Sequence, residues 1–496
     1  MSLSFLSNMV RLCISFIFLL MLSCSGKQEH SIVLESEADL AGLRVATIAG
    51  SYYDMYLSER KDITLQLYNT DSDVIQALVS GMADVCIQDE VVFNVDVRKR
   101  NNIKVALRGE QSFPTGFMFS KESSDLADAC TAVQHRMEQD GSMQRIKDFW
   151  LTDRYAEEEN YTHIPAETQG EPLRVATASL EAPISFQVNG DWYGIEIDIL
   201  RELARELHRP LEIKYYNVSS ALMAVRTGLA DVLCGCVFIT PEREEEYLFA
   251  ESYHDYNSAY FVVDREAMSQ NHGLWNDIKE GIWQNLIKEN RWRYITDGLL
   301  ETIKISLLAI LLGSVLGVGV YIMMRSRRNW VRGVASAYNG FMAGIPELVL
   351  LLILFYLVFA GTGVPADMVA VISFALFFAS AASDIYSSSL GSIPQGQTEA
   401  GLALGFTRTQ TFMNIILPQA LKIGLPLYKG QCVALLKGTA IVGYIAIQDL
   451  TRAGDIIRNR SFDAFIPLLV ITVLYFLLVW LIGVLIKFAS PKKKVL

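Results

Sequence analysis

The sequence predicts a multidomain protein, in which a two-lobed α/β domain precedes an all-α transmembrane domain of about five helices. Apolar residues make up 51% of the 496 residues, and the excess is concentrated after Gly298 in long apolar segments. Before residue 266, strand-like and helix-like segments alternate, as in α/β domains. This part also repeats itself, because Leu-Arg-Val-Ala-Thr occurs at 43–47 and again at 173–177. The repeat predicts two related βαβ lobes.

The N-terminal 23 residues have the pattern of an export signal. Arg11 precedes an apolar run from 12 to 22 that is short for a membrane span, and Ser-Cys-Ser-Gly follows it. The pattern resembles a bacterial lipoprotein signal (1–23), which implies that Cys24 is lipidated and that residues 24–38 form a tether. An uncleaved membrane anchor is the alternative. Both interpretations place the α/β part outside the cytoplasm.

Composition excludes several classes of function. The net charge is −11 and the acidic excess lies in the first 265 residues, so a nucleic-acid partner is disfavoured. The seven cysteines show no C-x-x-C pair and no regular spacing, so neither a disulfide framework nor a zinc site is predicted. The sequence also contains no G-x-x-x-x-G-K-[ST] motif and no nucleophile–base constellation. We therefore expect no enzyme, no metal site and no cofactor bound by this chain.

The α/β part divides into halves at 39–153 and 172–266, separated by a polar linker at 154–171. The second half carries Ala-Pro-Ile-Ser-Phe at 182–186, Gly-Ile-Glu-Ile-Asp at 194–198 and Thr-Pro-Glu-Arg at 240–243. Through these strings it resembles the first lobe of two-lobed amino-acid-binding proteins of type II. The first half resembles their second lobe, through Gly-Ser at 50–51 and Gln-Asp-Glu at 88–90. The reversed order favours a circular permutation, and two separate truncated domains are the alternative.

The resemblance implies where an amino acid is bound. An α-carboxylate favours a bidentate cation and helix-start N–H groups, and an α-ammonium favours a carboxylate. At the family's positions stand Arg243 for the carboxylate, Asp89 for the ammonium, and Gly50, Ser51 and Tyr52 at the helix start. A surface ion pair for Arg243 and a helix N-cap for Asp89 are the alternatives.

Four further positions complete the predicted site. Phe186 and Thr240 belong to the signature strings, Glu181 replaces a usual aromatic, and Phe238 replaces a usual Ser or Thr. The side-chain pocket is therefore not a standard one. Glu181 suits a basic or polar ligand, but it could equally face solvent, and a degenerate site that no longer binds is a further alternative.

Five apolar segments near 298–323, 335–361, 367–387, 425–447 and 463–486 have the length of membrane spans. Basic residues follow the first span, flank the loop at 388–420 and form the tail at 489–496. By the positive-inside rule these three regions are cytoplasmic, which requires an outside N-terminus and an odd number of spans, and five spans satisfy this. Residues 267–297 carry Trp and apolar residues at helical spacing, which predicts an interfacial amphipathic helix. A soluble packing helix is the alternative.

The loop at 388–420 carries a pattern with fixed spacings. Its matching residues are Glu399, Ala400, Gly405, Ile415, Leu417 and Pro418. The pattern resembles the coupling loop of ATP-binding-cassette (ABC) importer permeases, and only Gly401 departs, where a second Ala is usual. Four further strings, at 344–347, 392–397, 436–439 and 449–452, resemble the polar amino-acid (histidine and glutamine) type of these permeases. The resemblance implies that the loop docks on a separate ATPase. Glu347 and Asp384, acids within or near spans 2 and 3, are candidates for the translocation path.

These patterns predict the binding and permease subunit of a bacterial amino-acid importer. Residues 298–488 are predicted to form its transmembrane domain. ATP and Mg²⁺ are expected on the separate ATPase subunit, and the chain is expected to form a homodimer in the inner membrane. A ligand-gated channel or a sensor built on the same two lobes is the alternative, which needs no ATPase.

Overall fold

The computed structural model describes residues 32–94, 97–98, 101–152, 155, 170–188, 190–265, 279–360 and 362–489. The chain divides into two compact units. The first contains the residues up to Trp292 together with Asp455–Leu468, and the second contains Arg293–Gly454 and the residues from Leu469 onward. The predicted signal peptide, Cys24 and most of the linker at 154–171 lie outside the described residues.

The strands of the first unit are, in chain order, β1 (Arg44–Ile48), β2 (Thr64–Tyr68), β3 (Val85–Asp89), β4 (Ile103–Thr115), β5 (Met118–Ser120), β6 (Leu173–Thr177), β7 (Phe186–Val188), β8 (Asp191–Tyr193), β9 (Leu211–Tyr215), β10 (Val232–Cys234), β11 (Tyr247–Phe249) and β12 (His254–Val263). Its helices are α1 (Tyr52–Ser58), α2 (Asp71–Val79), α3 (Ser124–Gln139), α4 (Ser142–Trp150), α5 (Ile195–Glu206), α6 (Val218–Arg226) and α7 (Pro241–Glu246).

Two sheets with the same strand arrangement define two lobes. The N-lobe sheet has the order β2-β1-β3-β12-β4 and the C-lobe sheet the order β9-β6-β10-β5-β11. In the N-lobe, β1 pairs in parallel with β2 and β3, and in the C-lobe, β6 pairs in parallel with β9 and β10. Next to β3 and β10 lie β12 and β5, each of which comes from the other half of the sequence. The predicted pair of related α/β lobes is therefore confirmed.

The repeated strings form the same ion pair in each lobe. Arg44, in β1, lies 2.7 Å from Asp84, and Arg174, in β6, lies 2.5 Å from Asp231. In both pairs the carboxylate also accepts a hydrogen bond from the arginine's own backbone N–H. The recurrence of Leu-Arg-Val-Ala-Thr and Gly-x-Ala-Asp-Val thus reflects one supersecondary unit built twice.

The lobes do not coincide with the two halves of the sequence. β5 belongs to the first half but lies in the C-lobe sheet, and β12 belongs to the second half but lies in the N-lobe sheet. α3 packs on α5 of the C-lobe, and the indole of Trp150 at the end of α4 donates to Asp198 at 2.7 Å. The predicted boundaries 39–153 and 172–266 describe the sequence halves, whereas long-range strand pairing sets the lobes.

The chain crosses between the lobes at Gly116 and near Ser252. A Cβ at Gly116 would lie 2.9 Å from a side-chain carbon of Ile239 and 3.2 Å from the carbonyl oxygen of Ala250. The two crossing segments therefore approach more closely than a larger residue at 116 would allow.

Residues 455–468 lie in the first unit, although the sequence places them between the last two apolar segments. Arg458 lies 2.6 Å from Asp73 of the N-lobe, and the Asn459 side chain donates to the Tyr215 hydroxyl of the C-lobe at 3.3 Å. Phe462 is buried, with its ring 6.0 Å from that of Phe93. This segment therefore contacts both lobes.

The second unit is helical. Its helices are α8 (Trp292–Met324), α9 (Asn329–Gly344), α10 (Glu347–Ile353), α11 (Ala366–Gly391), α12 (Gln395–Ala403), α13 (Arg408–Thr411), α14 (Leu417–Gly438), α15 (Leu450–Ser461, its last residues in the first unit) and α16 (Phe465–Ala489). α8 already begins at Trp292, inside the range predicted as an interfacial helix.

In the described part of the chain, three helices are long and apolar enough to cross a membrane, or up to five if each bent pair is one span. One such pair, Asn329–Gly344 and Glu347–Val358, is bent by 108° at Ile345–Pro346. The second predicted span, 335–361, therefore consists of two helices with a sharp bend between them, because proline disfavours helical backbone in the residue before it. The prediction of a helical membrane domain is confirmed.

Small residues let α8 and α11 approach closely. A Cβ at Gly313 would lie 2.8 Å from Ala375 and Phe378 atoms, and one at Gly317 would lie 2.8 Å from Ala382. This spacing of two glycines four residues apart is typical of helices that pack against each other in membranes.

Candidate functional site

A cleft in the first unit, between the C-terminal ends of the parallel strands of both lobes, encloses a cavity of about 80 Å³. Six of the predicted binding residues line it: Ser51, Tyr52, Asp89, Glu181, Phe238 and Arg243. Both lobes thus contribute side chains, as the prediction of a two-lobed binding site requires.

Arg243 supplies the positive charge of the cleft. It lies in the first turn of α7, where the Thr240 side chain caps the helix by accepting from the Arg243 N–H at 3.3 Å. Its guanidinium donates to the carbonyl oxygens of Phe238 at 3.1 Å and Gly50 at 3.2 Å. No carboxylate among the described residues forms an ion pair with it, and burial lowers its pKa. A partly desolvated guanidinium without an anionic partner favours an anionic ligand group.

Asp89 is the buried carboxylate at the end of β3. Its oxygens accept from the Tyr53 hydroxyl at 2.5 Å and from the Cys236 thiol at 3.4 Å. Burial raises the pKa of Asp89 to about 6, although both hydrogen bonds oppose the rise. The pKa of Asp89 therefore lies close to neutral pH. A cation bound beside Asp89 would favour its ionised form.

Two more carboxylates face the cavity. Glu181 follows β6 in the C-lobe and is 7% exposed, and Asp71 is the first residue of α2 in the N-lobe. Burial raises the pKa of both, and the negative charge of Glu181 raises that of Asp71 further. Asp71 was not predicted, since its only sequence signal is a place after Thr70 at a helix start. The prediction placed a carboxylate at 181, and the structure shows it turned into the cleft rather than into solvent.

Three predicted site residues lie beside the cavity rather than on its lining. Gly50 has a φ of +74° and contributes its carbonyl to Arg243, while its N–H donates to Asp54 at 2.8 Å. Thr240 is buried as the cap of α7. Phe186 is buried with its ring edge-on to that of Trp150, 5.7 Å away. These residues support the site and do not line it.

Phe238 belongs to an aromatic cluster on one wall of the cleft. Its ring lies 5.7 Å from Tyr52, 5.8 Å from Tyr53 and 5.3 Å from Phe113, measured between centroids. An apolar ring therefore occupies the position for which the resemblance implies a hydroxyl group. This wall can pack against a ligand but cannot donate a hydrogen bond from residue 238.

Glu196 fixes the loop that carries Cys236. Its carboxylate accepts from the backbone N–H groups of Gly235 at 2.6 Å and Cys236 at 3.0 Å, and from the Tyr253 hydroxyl at 2.7 Å. Burial raises the pKa of Glu196 to about 7. The sequence showed this residue only as part of the string at 194–198, and its bracing role follows from contacts across 39 or more residues.

The predicted coupling loop forms a helical knob, residues 395–418. α12 and α13 are joined at Gly405, which has a φ of +83°, a value that suits glycine. α12 ends there, with the Gly405 N–H donating to the Leu402 carbonyl and the Phe406 N–H to the Gly401 carbonyl. Thr407 and Gln410 then form a capping box that begins α13.

The knob presents an apolar surface with one acidic residue, Glu399, and one basic residue, Arg408. Glu399 and Ala400 are exposed. Ile415, Leu417 and Pro418 are partly buried where the knob returns to α14. Its exposed large apolar side chains are Leu402 (41%), Leu404 (77%), Phe406 (39%), Phe412 (41%) and Met413 (53%). Clustered exposed apolar groups with polar neighbours are typical of protein-binding surfaces.

Comparison with known proteins decides the family. A family model for the inner membrane component of binding-protein-dependent transport systems matches residues 309–495, and one for bacterial extracellular solute-binding proteins, family 3, matches 173–398. The L-cystine transport system permease protein TcyB of Bacillus subtilis is 33% identical over 181 residues, which are 36% of this chain and 77% of that protein. The chain belongs to the family of binding-protein-dependent transport permeases.

Two other similar proteins also match part of this permease. The glutamate/aspartate import permease protein GltK of Escherichia coli O6:H1 is 34% identical over 178 residues, 34% of this chain and 79% of that protein. A solved structure described as an amino acid ABC transporter with histidines shares 27% identity, with a TM-score of 0.38, over 45% of this chain and 99% of that chain. Because the relatives are transport permeases, the prediction of a transporter subunit rather than an enzyme is confirmed.

The two candidate acids of the permease domain differ in their surroundings. Glu347 begins α10 at the sharp bend, and a Cβ on Gly438 would lie 2.7 Å from its carboxylate oxygen. None of the described residues forms a hydrogen bond or an ion pair with the Glu347 carboxylate. Asp384, on α11, is exposed and accepts from the Asn339 side chain at 3.1 Å. The structure thus leaves Glu347 as the acid with free bonding capacity.

Proposed function

We propose that this permease is the substrate-binding and membrane-spanning subunit of an ATP-driven amino-acid importer. One observation carries the proposal: a single chain joins a cleft that offers an arginine without a carboxylate partner and an opposing carboxylate to a permease domain with an exposed knob. The names of the relatives, which include cystine and glutamate/aspartate transport, support an amino acid as the cargo. The channel or sensor alternative gains no support from them.

In the proposed bound state the amino acid lies across the cleft between the lobes. Its α-carboxylate pairs with Arg243, which directs two nitrogens at carbonyl groups and has no anionic partner among the residues that the structure describes. Its α-ammonium pairs with Asp89, near the Tyr53 hydroxyl. Because the two charged groups lie on different lobes, a zwitterion that satisfies both stabilises the closed arrangement.

The knob is the proposed docking surface for a separate ATPase subunit. ATP and Mg²⁺ would be bound by that subunit, and its closure would move α12 and, through α14, the membrane helices. A homodimer of this chain would present two knobs to two ATPase subunits. Fusion of the binding lobes to the permease raises the local concentration of captured ligand at the transport path.

The proposed path through the membrane passes Glu347. Its carboxylate lies at a helix break and packs so closely on Gly438 that any side chain there would clash with it. Asp384 is the second candidate, although Asn339 already engages it. An acid inside a membrane domain is costly unless it serves a pathway or a partner.

Two predictions about processing and ancestry remain part of this proposal. Lipidation at Cys24 would hold the N-terminus at the outer surface of the inner membrane. A circular permutation would explain why the family 3 match begins at residue 173, where β6 starts, while the preceding half completes both sheets. The lobes would lie on the outer side and the knob on the cytoplasmic side.

The coupling proposal is tested by co-purification with the cognate ABC ATPase and by its hydrolysis rate in nanodiscs. Glu399→Arg reverses a charge on the exposed knob, and Glu59→Arg makes the same change at an exposed position of the N-lobe. We expect the first variant to lose ATPase capture and the second to retain it. Equal capture by both variants, with amino-acid-stimulated hydrolysis intact, would contradict docking at Glu399.

The topology is tested separately with a membrane-impermeant maleimide. Leu404→Cys places a thiol on the knob, where the leucine is 77% exposed, and Glu59→Cys places one on the N-lobe. In intact spheroplasts we expect labelling of position 59 only, and in inverted vesicles labelling of position 404 only. Labelling of both from one side would refute the importer.

A further inference from the structure

The charges of the cleft do not balance for a simple amino-acid zwitterion. The lining residues include three carboxylates, Asp71, Asp89 and Glu181, and one guanidinium, Arg243. In the proposed function the α-carboxylate of a zwitterion pairs with Arg243 and its α-ammonium pairs with Asp89. Asp71 and Glu181 are then left without a ligand partner.

These two acids line the same cavity from opposite lobes. Asp71 begins α2 in the N-lobe, and Glu181 follows β6 in the C-lobe. They are close enough for the charge of Glu181 to raise the pKa of Asp71. Closing the lobes over an empty cleft therefore brings like charges together, which opposes closure.

Each acid keeps one oxygen free of other described residues. Glu181 accepts from Ser179 at 2.8 Å and from the Leu180 N–H at 2.9 Å, and both bonds go to Oε2. Asp71 accepts from the Gln88 side chain at Oδ1. Oε1 of Glu181 and Oδ2 of Asp71 therefore remain available to a donor in the cavity.

Structural roles alone do not account for this pair. A carboxylate in the first turn of a helix stabilises the helix only slightly, whereas a carboxylate taken out of water without a cationic partner is strongly destabilising. Arg460 is the nearby cation that acts on Glu181, but its guanidinium already lies 2.6 Å from Glu289. Arg460 therefore offsets at most one of the two negative charges, and a cation on the ligand would offset the other.

The rest of the cavity wall suits the stem of a long basic side chain. Val92, Val218 and Leu222 line the same cavity. Lysine and arginine commonly bury their methylene groups against apolar residues while the charged head reaches polar partners.

We infer that the cleft takes an amino acid with a cationic side chain, whose distal ammonium or guanidinium lies between Asp71 and Glu181. The inference rests on the proposed binding of an amino acid by Arg243 and Asp89. The side-chain cation then has a second function, because it removes the repulsion between the two lobes and so permits them to close.

The test is calorimetry on the purified full-length chain in nanodiscs with two matched ligand pairs. L-Arginine is compared with L-citrulline, and L-lysine with L-norleucine, since each pair differs mainly in the side-chain charge. We expect the cationic member of at least one pair to bind about 100-fold more tightly than its neutral partner, as is typical when a charge loses its buried partner.

Variants assign the effect to the two acids. Asp71→Asn combined with Glu181→Gln is expected to weaken binding of the cationic ligand at least ~10-fold and to reduce its advantage over the neutral partner. The control is Asp62→Asn combined with Glu59→Gln, at exposed positions of the N-lobe, and it should leave both affinities unchanged.

The outcomes separate the two proposals. Equal affinities within each ligand pair, or an unchanged preference in the Asp71 and Glu181 double variant, overturn the cationic class while amino-acid binding stands. Absence of heat with every amino acid, from protein whose folding is verified by circular dichroism, overturns both the cationic class and the proposed binding function.

Discussion

Asp89 makes ligand affinity depend on pH in a direction that can be stated in advance. Its pKa is raised to about 6 by burial, so the ionised form that an ammonium needs is scarce in mild acid. At pH 5 about one molecule in eleven has this carboxylate ionised, and at pH 8 nearly all do. Because apparent affinity scales with the competent fraction, Kd should fall about tenfold from pH 5 to pH 8 through Asp89 alone.

Neighbouring groups act on the same titration. Asp71 and Glu181 also have raised pKa values, so their ionisation adds to the effect for a cationic ligand. Tyr53 and Cys236 donate hydrogen bonds to Asp89 and remain protonated over this range because burial raises their pKa values as well. The Asp71→Asn and Glu181→Gln double variant therefore isolates the share of Asp89.

The assay is calorimetry of ligand binding at pH 5, 6, 7 and 8 in buffers with different ionisation enthalpies. Near pH 6 the observed heat should depend on the buffer, because binding releases about half a proton from Asp89. Asp89→Asn should weaken binding by about 10²-fold or more and remove the pH dependence that remains in the double variant. A Kd that is constant with pH, or lower at pH 5 than at pH 8, would refute the assignment of Asp89 as the ammonium partner.

Three further predictions concern other parts of the chain. Glu196 has a folded-state pKa of about 7, above its usual value, so the native state binds more protons than the unfolded state. The free energy of unfolding should therefore fall by about 3 kcal/mol as the pH rises from 4.5 to 7. Thermal melts should show this dependence on pH, and Glu196→Gln should reduce it. Gly401→Ala would place a Cβ 2.6 Å from the Thr411 methyl group, so ATPase capture should weaken by about 1–3 kcal/mol. Capture should recover in the double variant with Thr411→Ala. Unchanged capture in the single variant would count against tight packing in the knob. Phe462→Ala removes a buried ring beside Phe93 and should speed hydrogen exchange in residues 455–468 by about 100-fold or more, and unaltered protection would show that this contact does not hold the segment.

The sequence was sufficient for the repeated framework of the lobes. Leu-Arg-Val-Ala-Thr and Gly-x-Ala-Asp-Val recur because each lobe needs the same strand and the same arginine–aspartate pair, as Arg44 and Asp84 show. The places of Arg243 and Asp89 in the cleft could be predicted for a similar reason, because their flanking strings fix them at a helix start and at a strand end.

Features that depend on distant pairing could not be predicted. Asp71 and Glu181 are 110 positions apart, and only closure of the two lobes brings them to one cavity. The exchange of β5 and β12 between sheets likewise leaves no local pattern. The bend at Pro346 had a local signal, but the apolar run around it indicated a continuous span, and hydropathy alone does not report helix direction.

The exchange of β5 and β12 has a consequence for any attempt to divide the receptor. Proteolysis within 154–171 would leave two fragments, each of which contributes an interior strand to the sheet of the other. Neither fragment contains a complete five-stranded sheet, so neither should behave as an autonomous module. The two should complement each other only when they are produced together. A nicked receptor could therefore stay assembled and keep its cleft, with backbone pairing in place of the covalent connection.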